Sequence, residues 1–128
     1  MKLLLDTHFC LWLTLAQENL TAAEWAILLE PNADLAFPSV AIWELNIKWE
    51  KRFASGQRKS EANPGAVLRG LQIAEISAID LTPELAAATL LHPVQYSDPF
   101  DTLLLTIAQE TGYKLLTRDE QLRRHPQA

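Results

Sequence analysis

Five acidic residues are spaced so that they could share one site. Asp6 follows the apolar run KLLL, and Asp119 closely follows KLLT. Asp98 and Asp101 begin the segment DPFDTLLLTIA, and Glu44 lies between two apolar stripes of a predicted helix in SVAIWELNIKWE. Because ligands of open parallel sheets bind at the carboxyl ends of the strands, we expect Asp6 and Asp119 near one crevice.

Several carboxylates in one pocket need a positive partner. Mutual repulsion and removal from water would protonate some of them unless a cation balanced their charge. Ligands that offer only oxygen atoms favour Mg²⁺ or Mn²⁺, and the sequence has no Cys and His cluster that would favour zinc. Such a metal lowers the pKa of a bound water and stabilises charge on a phosphoryl oxygen. The acids therefore predict a site for phosphate chemistry.

Most of these acids also have an ordinary structural explanation. An aspartate just before a helix commonly caps its first free N–H groups. The acids in that position are Asp6, Asp98 and Asp119. Glu44 stands four residues before Lys48, the favourable order for an ion pair on a helix. Asp101 lies one turn into a helix that is predicted to be mostly buried, and a buried acid needs a partner, so we predict Asp101 as a metal ligand.

Short apolar runs alternate with helical patterns along the chain. Strands are predicted at residues 2–5, 33–38 and 113–117, with an edge strand at 73–79. The predicted helices begin near His8, Thr21, Ser39, Pro64, Thr82, Pro99 and Asp119. Ser39 is expected to be the N-cap of a helix that runs to about Phe53. Strands that alternate with helices indicate an α/β layer fold with a largely parallel sheet.

Composition limits the class of protein. The 128 residues fit one domain, 1–128, and 48% apolar with 21% charged residues is ordinary for a soluble globular protein. The apolar start MKLLL is stopped by Asp6, far short of the ~20 apolar residues of a membrane span. The single Cys10 excludes an internal disulfide and suits a reducing cytosol. We expect a cytoplasmic protein without a membrane segment.

The formal net charge of -5 disfavours binding of nucleic acid through broad neutralisation of phosphates. Any contact with nucleic acid is therefore expected to be local. Five of the 11 bases fall close together, at Lys48, Lys51, Arg52, Arg58 and Lys59. This cluster fits a basic rim beside an acidic site, although a solvated helix face and loop would have the same composition.

Four segments, in this order, resemble the PIN-domain ribonucleases, and among them the VapC-type toxins of bacterial toxin-antitoxin pairs. The segments are LLLDTH, SVAIWELNIKWEKRFASG, DPFDTLLLTIAQETG and LLTRDEQL, and the resemblance covers the whole chain. It implies a three-layer α/β/α sandwich with a short, mainly parallel central sheet. It also implies an acidic Mg²⁺ or Mn²⁺ site that cleaves RNA, a homodimer, and a cognate antitoxin whose C-terminal segment blocks the groove.

The resemblance assigns roles to individual residues. Asp6, Glu44 and Asp101 match the three core acidic positions of the family. Asp119 matches the fourth acid, with Thr117 as its polar neighbour.

Two further residues match the subgroup that carries the DPFD motif. Asp98 matches its extra acid, and Lys48 matches its lysine one turn after the glutamate. The leading hypothesis is a metal-dependent endoribonuclease in which Asp6 and Asp101 bind the main ion, directly or through water. Glu44 and Asp119 would then position the attacking water or a second ion. The basic residues expected to guide the phosphate backbone are Lys48, Lys51 and Arg52.

Three departures from the family pattern accompany the resemblance. The subgroup usually has His and Arg where this chain has Tyr96 and Thr102, so groove contacts or substrate choice are expected to differ. The family often continues into a last strand, which we expect to be missing or very short after LLTRDEQL.

His8 is interpreted as a residue at a helix start or behind the ligands, and Trp12 as part of the core.

Two other functions remain open at this point. A phosphatase could use Asp6 as a nucleophile, but enzymes of the haloacid-dehalogenase type need a second Asp two residues later, where this chain has His8. A non-catalytic binding module could use its acidic groove to receive a basic segment of a partner. The net charge of -5 suits that alternative.

Overall fold

A parallel sheet of four strands forms the centre of the fold. The computed structural model describes residues 1–58, 60, 62–95 and 98–128, so the expectations for Lys59 and Tyr96 concern residues outside those described. The strands are β1 Lys2–Leu5, β2 Asp34–Pro38, β3 Ser77–Ile79 and β4 Lys114–Leu116. Their order is β3-β2-β1-β4, and every neighbouring pair is parallel. The predicted parallel sheet is confirmed, with β3 at its edge.

Helices connect the strands throughout the described part of the chain. They are α1 Thr7–Leu15, α2 Ala22–Leu28, α3 Ser39–Glu50, α4 Pro64–Ile73, α5 Pro83–Ala87, α6 Pro99–Thr111 and α7 Glu120–Arg123. Thr21 and Glu24 form a capping box at the start of α2, where a helix was predicted to begin, and Thr82 caps α5. None of the helices described here combines the length and the apolar character that crossing a membrane requires.

Alternate residues of each strand pack against opposite layers of helices. Leu4 of β1 belongs to a buried cluster that contains Leu105 of α6. Leu5, the next residue, belongs to a second cluster with Phe9 of α1 and Leu71 of α4. Because side chains of a strand point alternately to its two faces, the sheet is covered by α1 to α4 on one side and by α5 to α7 on the other. This is the expected three-layer α/β/α sandwich.

The start of α3 differs from the prediction. Ser39, expected as the N-cap, is the first residue of the helix, and Pro38 precedes it without a side-chain cap. The Ser39 hydroxyl oxygen instead accepts a hydrogen bond of 3.2 Å from the backbone N–H of Leu81. The serine therefore ties α3 to the loop after β3, a distant contact that its local sequence does not reveal.

The end of α3 also comes earlier than predicted, at Glu50 rather than near Phe53. Lys51 adopts an extended backbone, and Arg52 forms an antiparallel bridge with Arg58. The backbone N–H of Phe53 donates to the backbone carbonyl of Gln57 at 2.8 Å. A small hairpin-like turn therefore takes over the backbone hydrogen bonds that one more helical turn would have used.

The last helices place the C-terminal residues beside β4. α6 ends at Thr111, and the next residue, Gly112, has the left-handed backbone that stops a helix (φ 78°). No strand follows α7 in the described residues. The Leu115 N–H of β4 donates instead to the Gln127 carbonyl at 2.8 Å. This agrees with a last strand that is missing or very short.

Candidate active site

The carboxyl ends of β1 and β4 lie side by side and hold the first acid. Leu5 is paired with Leu116, and the next N–H, of Asp6, donates to the Leu116 carbonyl at 3.2 Å. The buried Asp6 carboxylate accepts the Phe9 N–H at 2.9 Å and so caps α1. The same side chain also lines a cavity, so the helix-cap role and a role in a site do not compete.

That cavity has a volume of about 70 Å³. Its walls are formed by Asp6, Thr7, His8, Glu44, Asp101, Leu104, Thr117, Asp119 and Leu122. Four of the five predicted acids therefore meet at one place, although they come from separate parts of the chain: the end of β1, α3, α6 and the segment after β4.

Asp119 and Thr117 form the wall contributed by the end of β4. Asp119 caps α7 by accepting the Gln121 N–H at 2.9 Å. The Thr117 hydroxyl oxygen accepts the Asp119 N–H at 3.2 Å. Thr117 also hydrogen-bonds to the Asp6 carboxylate, a contact that lowers the pKa of Asp6. The predicted polar neighbour of Asp119 thus contacts two of the acids.

Glu44 is held from both sides. Lys48, one turn later on α3, lies 3.7 Å from its carboxylate. On the other side, the buried Thr7 hydroxyl donates a hydrogen bond to Glu44 Oε2. Sequence reasoning missed a role for Thr7, since a threonine between an acid and a histidine carries no signal of a contact 37 residues away.

Asp98 and Asp101 occupy different positions at the start of α6. Asp98 is exposed and caps the helix by accepting the Phe100 N–H at 2.8 Å. Asp101, in the first turn, is half-buried and lines the cavity, whereas Asp98 is not among the lining residues. Asp98 therefore acts on the cavity through its charge.

The acids interact electrostatically across the cavity. Burial raises the pKa of Asp101, and the charges of Asp98, Asp119, Glu44 and Asp6 raise it further. The pKa of Asp6 is also raised, chiefly by burial, in spite of the hydrogen bonds that favour its ionised form. The acids are therefore close enough to oppose one another's ionisation.

The three predicted basic residues have different surroundings. Lys48 reaches the rim of the cavity through its ion pair with Glu44. Lys51 is exposed just after α3, and the Arg52 guanidinium donates to the Gly56 carbonyl at 2.9 Å. Lys51 and Arg52 thus lie in the turn after α3, outside the walls of the acidic cavity.

The donor chemistry of the cavity suits a hard divalent cation. Its acidic side chains offer only oxygen atoms, and burial together with the neighbouring carboxylates raises the pKa of both Asp6 and Asp101. In the part of the chain that the structure describes, however, no three Asp, Glu, His or Cys side chains are arranged as a metal-ligand group. The carboxylates share a cavity without converging on one point.

Comparison with known proteins supplies independent information. The family described as "PIN domain" matches residues 3–127. The chain is 35% identical over 126 residues to "Ribonuclease VapC22" of Mycobacterium tuberculosis, which covers 95% of this chain and 90% of that protein. Among solved structures, it is similar to VapBC2 from Rickettsia felis bound to a DNA fragment from their promoter, with a TM-score of 0.63 and 16% identity over 99% of this chain and 95% of that one. At that identity the structural likeness shows the fold.

The electrostatics of the cavity predict that Asp101→Asn is more stable than the wild type at neutral pH. The pKa of Asp101 is raised above 3.8, so its contribution to stability is complete below that value and is lost as the pH rises through the folded-state pKa. Asparagine cannot ionise and has no such loss. The free energy of unfolding, measured with urea, should be higher for the variant than for the wild type at about pH 7. The difference should shrink at about pH 3.

Glu24→Gln is the control with the opposite sign. A hydrogen bond from Arg118 lowers the pKa of Glu24 from 4.5 to about 2. Ionised Glu24 therefore stabilises the fold when the pH is above the pKa that this residue has in the unfolded chain. This contribution is lost as the pH falls through the folded-state pKa of about 2. The variant should be less stable than the wild type at neutral pH. If Asp101→Asn also lost stability there, the cost of burying Asp101 as an ion among other acids would be the wrong account.

Proposed function

The chain belongs to the PIN-domain family, and from that premise we propose that it is a metal-dependent endoribonuclease, the VapC-type toxin of a toxin-antitoxin pair. The observation that carries the proposal is the meeting of four acids from separate segments in one small cavity, at the carboxyl ends of β1 and β4. The relative named as a ribonuclease, 35% identical over nearly the whole chain, supports the choice of RNA.

Each acid has a proposed part in the reaction. Asp6 and Asp101 would hold Mg²⁺ or Mn²⁺, directly or through water, and Asp98 would add charge from the start of α6. An ion in such a site lowers the pKa of a bound water and stabilises charge on the phosphoryl oxygen. Glu44 and Asp119 would orient the water that attacks the phosphorus atom or bind a second ion.

The neighbouring hydroxyl groups support these roles by limiting how the acids can move. Thr7 donates to one oxygen of Glu44, and Thr117 bonds to Asp6. A carboxylate whose rotation is restrained loses less entropy when it takes up a reactive geometry. We therefore assign Thr7 and Thr117 as positioning residues of the site.

The partners follow from the charge distribution and the family. We propose that Lys48, Lys51 and Arg52 guide the RNA backbone, because they place positive charge beside an acidic cavity in a chain of net charge -5. A cognate antitoxin would cover the cavity with a basic segment.

Trp43, 58% exposed on α3, is an apolar surface that a second copy could cover in a homodimer. Residues 1–128 would act as one nuclease domain in the cytoplasm.

The central prediction concerns the cavity acids. Asp6→Asn and Asp101→Asn should each lower the rate of RNA cleavage by more than about 100-fold, since even groups behind the metal ligands are worth 10–100-fold. The assay is cleavage of purified RNA with Mg²⁺ or Mn²⁺, and a chelator should abolish it. Circular dichroism checks that the variants fold.

Asp80→Asn is the matched control for these variants. Asp80 is an exposed acid just after β3 and is not among the residues that line the acidic cavity. Its variant should cleave RNA at the wild-type rate. Full activity in both Asp6→Asn and Asp101→Asn would show that the proposed site is wrong.

A second prediction tests the hydrogen bond that the Thr7 hydroxyl donates to Glu44. Thr7→Val keeps the side-chain volume but removes the hydroxyl, and a hydrogen bond to a charged group is worth roughly 1.5–3 kcal/mol. We expect kcat to fall by about tenfold or more, with KM little changed, while Thr7→Ser keeps most of the rate. If Thr7→Val is as active as the wild type, Glu44 is positioned without this contact.

A third prediction separates the enzyme from a non-catalytic binding module. The absence of a converged metal-ligand group among the described residues also suits a groove that only receives a basic partner segment. Expression of the wild type without its antitoxin should arrest growth, whereas Asp6→Asn should not. Growth arrest by both proteins would favour the binding module, and co-expression of the antitoxin should relieve the arrest caused by the enzyme.

A further inference from the structure

A second and larger cavity opens beside the acidic one. It has a volume of about 280 Å³, and its walls are Asp6, His8, Trp12, Thr117, Arg118 and Asp119. Four of these residues, Asp6, His8, Thr117 and Asp119, also line the small acidic cavity. A group bound in the larger cavity would therefore lie directly next to the acids.

One wall of this cavity is a stack of three flat side chains. The His8 ring stacks on Trp12 with ring centroids 5.4 Å apart and planes inclined by 25°. The Arg118 guanidinium carbon lies 4.0 Å from the centroid of the Trp12 ring. His8 is exposed, so its ring offers aromatic surface that solvent can reach. The sequence had suggested a position at a helix start or behind the ligands for His8 and a position in the core for Trp12.

Arg118 is held in place by other residues and is not a free cation. Its Nε and Nη2 atoms each donate to an oxygen of Glu24 at 2.6 Å, and Nη2 also donates to the Asn19 carbonyl. Its side chain is nevertheless 38% exposed. The guanidinium therefore offers the cavity a rigid plane whose charge is already paired.

The chemistry of the walls favours a flat, neutral group over a phosphate. Asp6 and Asp119 repel anions, and the positive charge of Arg118 is engaged by Glu24. Aromatic rings and guanidinium planes are the surfaces on which unpaired nucleobases stack. Carboxylate oxygens can accept hydrogen bonds from the amino edge of a base such as cytosine.

We propose that this cavity is a base-binding subsite, in which a nucleobase next to the scissile phosphate stacks on the His8, Trp12 and Arg118 wall. The inference rests on the proposed ribonuclease function and adds to it a contact that reads the base. His8 supplies the exposed stacking face, Trp12 supports it, and Arg118 closes the stack. The neighbouring phosphate would then lie at the acidic cavity, where the divalent ion of the proposed ribonuclease would offset the repulsion by the acids.

The experiment compares two oligomers that share a backbone. The probes are an oligocytidylate of about six nucleotides and a ribose-phosphate oligomer of the same length without bases. Binding to the full chain is measured by fluorescence anisotropy with a chelator present, so that repulsion of the backbone by the acids is common to both. We expect the wild type to bind oligocytidylate about tenfold more tightly, within the range of base stacking on aromatic residues.

Variants assign this difference to the stack. His8→Ala should weaken binding of oligocytidylate by about fivefold and leave the baseless oligomer unaffected. His92→Ala, a change at an exposed histidine that does not line this cavity, should alter neither affinity. Oligocytidylate should also quench tryptophan fluorescence of the wild type more than the baseless oligomer does, and Trp12→Phe should reduce that difference.

The outcomes separate this inference from the function on which it rests. Equal affinity for the two oligomers, no binding of either, or an equal loss of both in His8→Ala would overturn the base-binding subsite. RNA cleavage with Mg²⁺ is measured independently. Cleavage without any preference for the base-containing oligomer would leave the ribonuclease standing and remove the subsite. Base-dependent binding without cleavage would retain the subsite and reject the ribonuclease.

Discussion

The acidic residues gathered at the carboxyl ends of β1 and β4 oppose folding and have to be held together by other interactions. Burial and neighbouring carboxylates raise the pKa of Asp101, so ionising the site opposes folding. Apolar packing must offset that cost. Leu105 and Ile107 of α6 and Leu4 of β1 are fully buried, and they hold the helix that carries Asp101 against the sheet. The apolar core thus keeps mutually repelling acids in one cavity.

Three of the acids serve local structure and the cavity at the same time. Asp6, Asp98 and Asp119 each accept backbone N–H groups at the start of a helix. A carboxylate that caps a helix is restrained and lies beside the partial positive charge of the helix N-terminus. That charge lowers the free-energy cost of holding the carboxylate near other acids. The helix-cap and site interpretations of these residues are therefore two effects of one placement.

Arg118 links the end of β4, beside the acidic site, to α1 and α2. It follows Thr117 at the end of β4, pairs with Glu24 of α2 and lies over Trp12 of α1. Because the same guanidinium joins these segments, the flat wall next to the acids is a consequence of how the layers are held together. The acidic cavity and the flat wall are thus adjacent products of one arrangement.

Features of the fold that depend on neighbouring residues or on periodicity could be predicted from the sequence. The capping box at Thr21, the stop at Gly112, the order of strands and helices and the parallel sheet all follow from such signals, and the strand ends pointed to Asp6 and Asp119. Tertiary structure alone decided the contacts between distant segments. Thr7 meets Glu44 across 37 residues, and Arg118 meets Glu24 across 94. The hydroxyl or guanidinium of such a residue finds its partner only when packing of the layers has brought the segments together, so no local pattern encodes it.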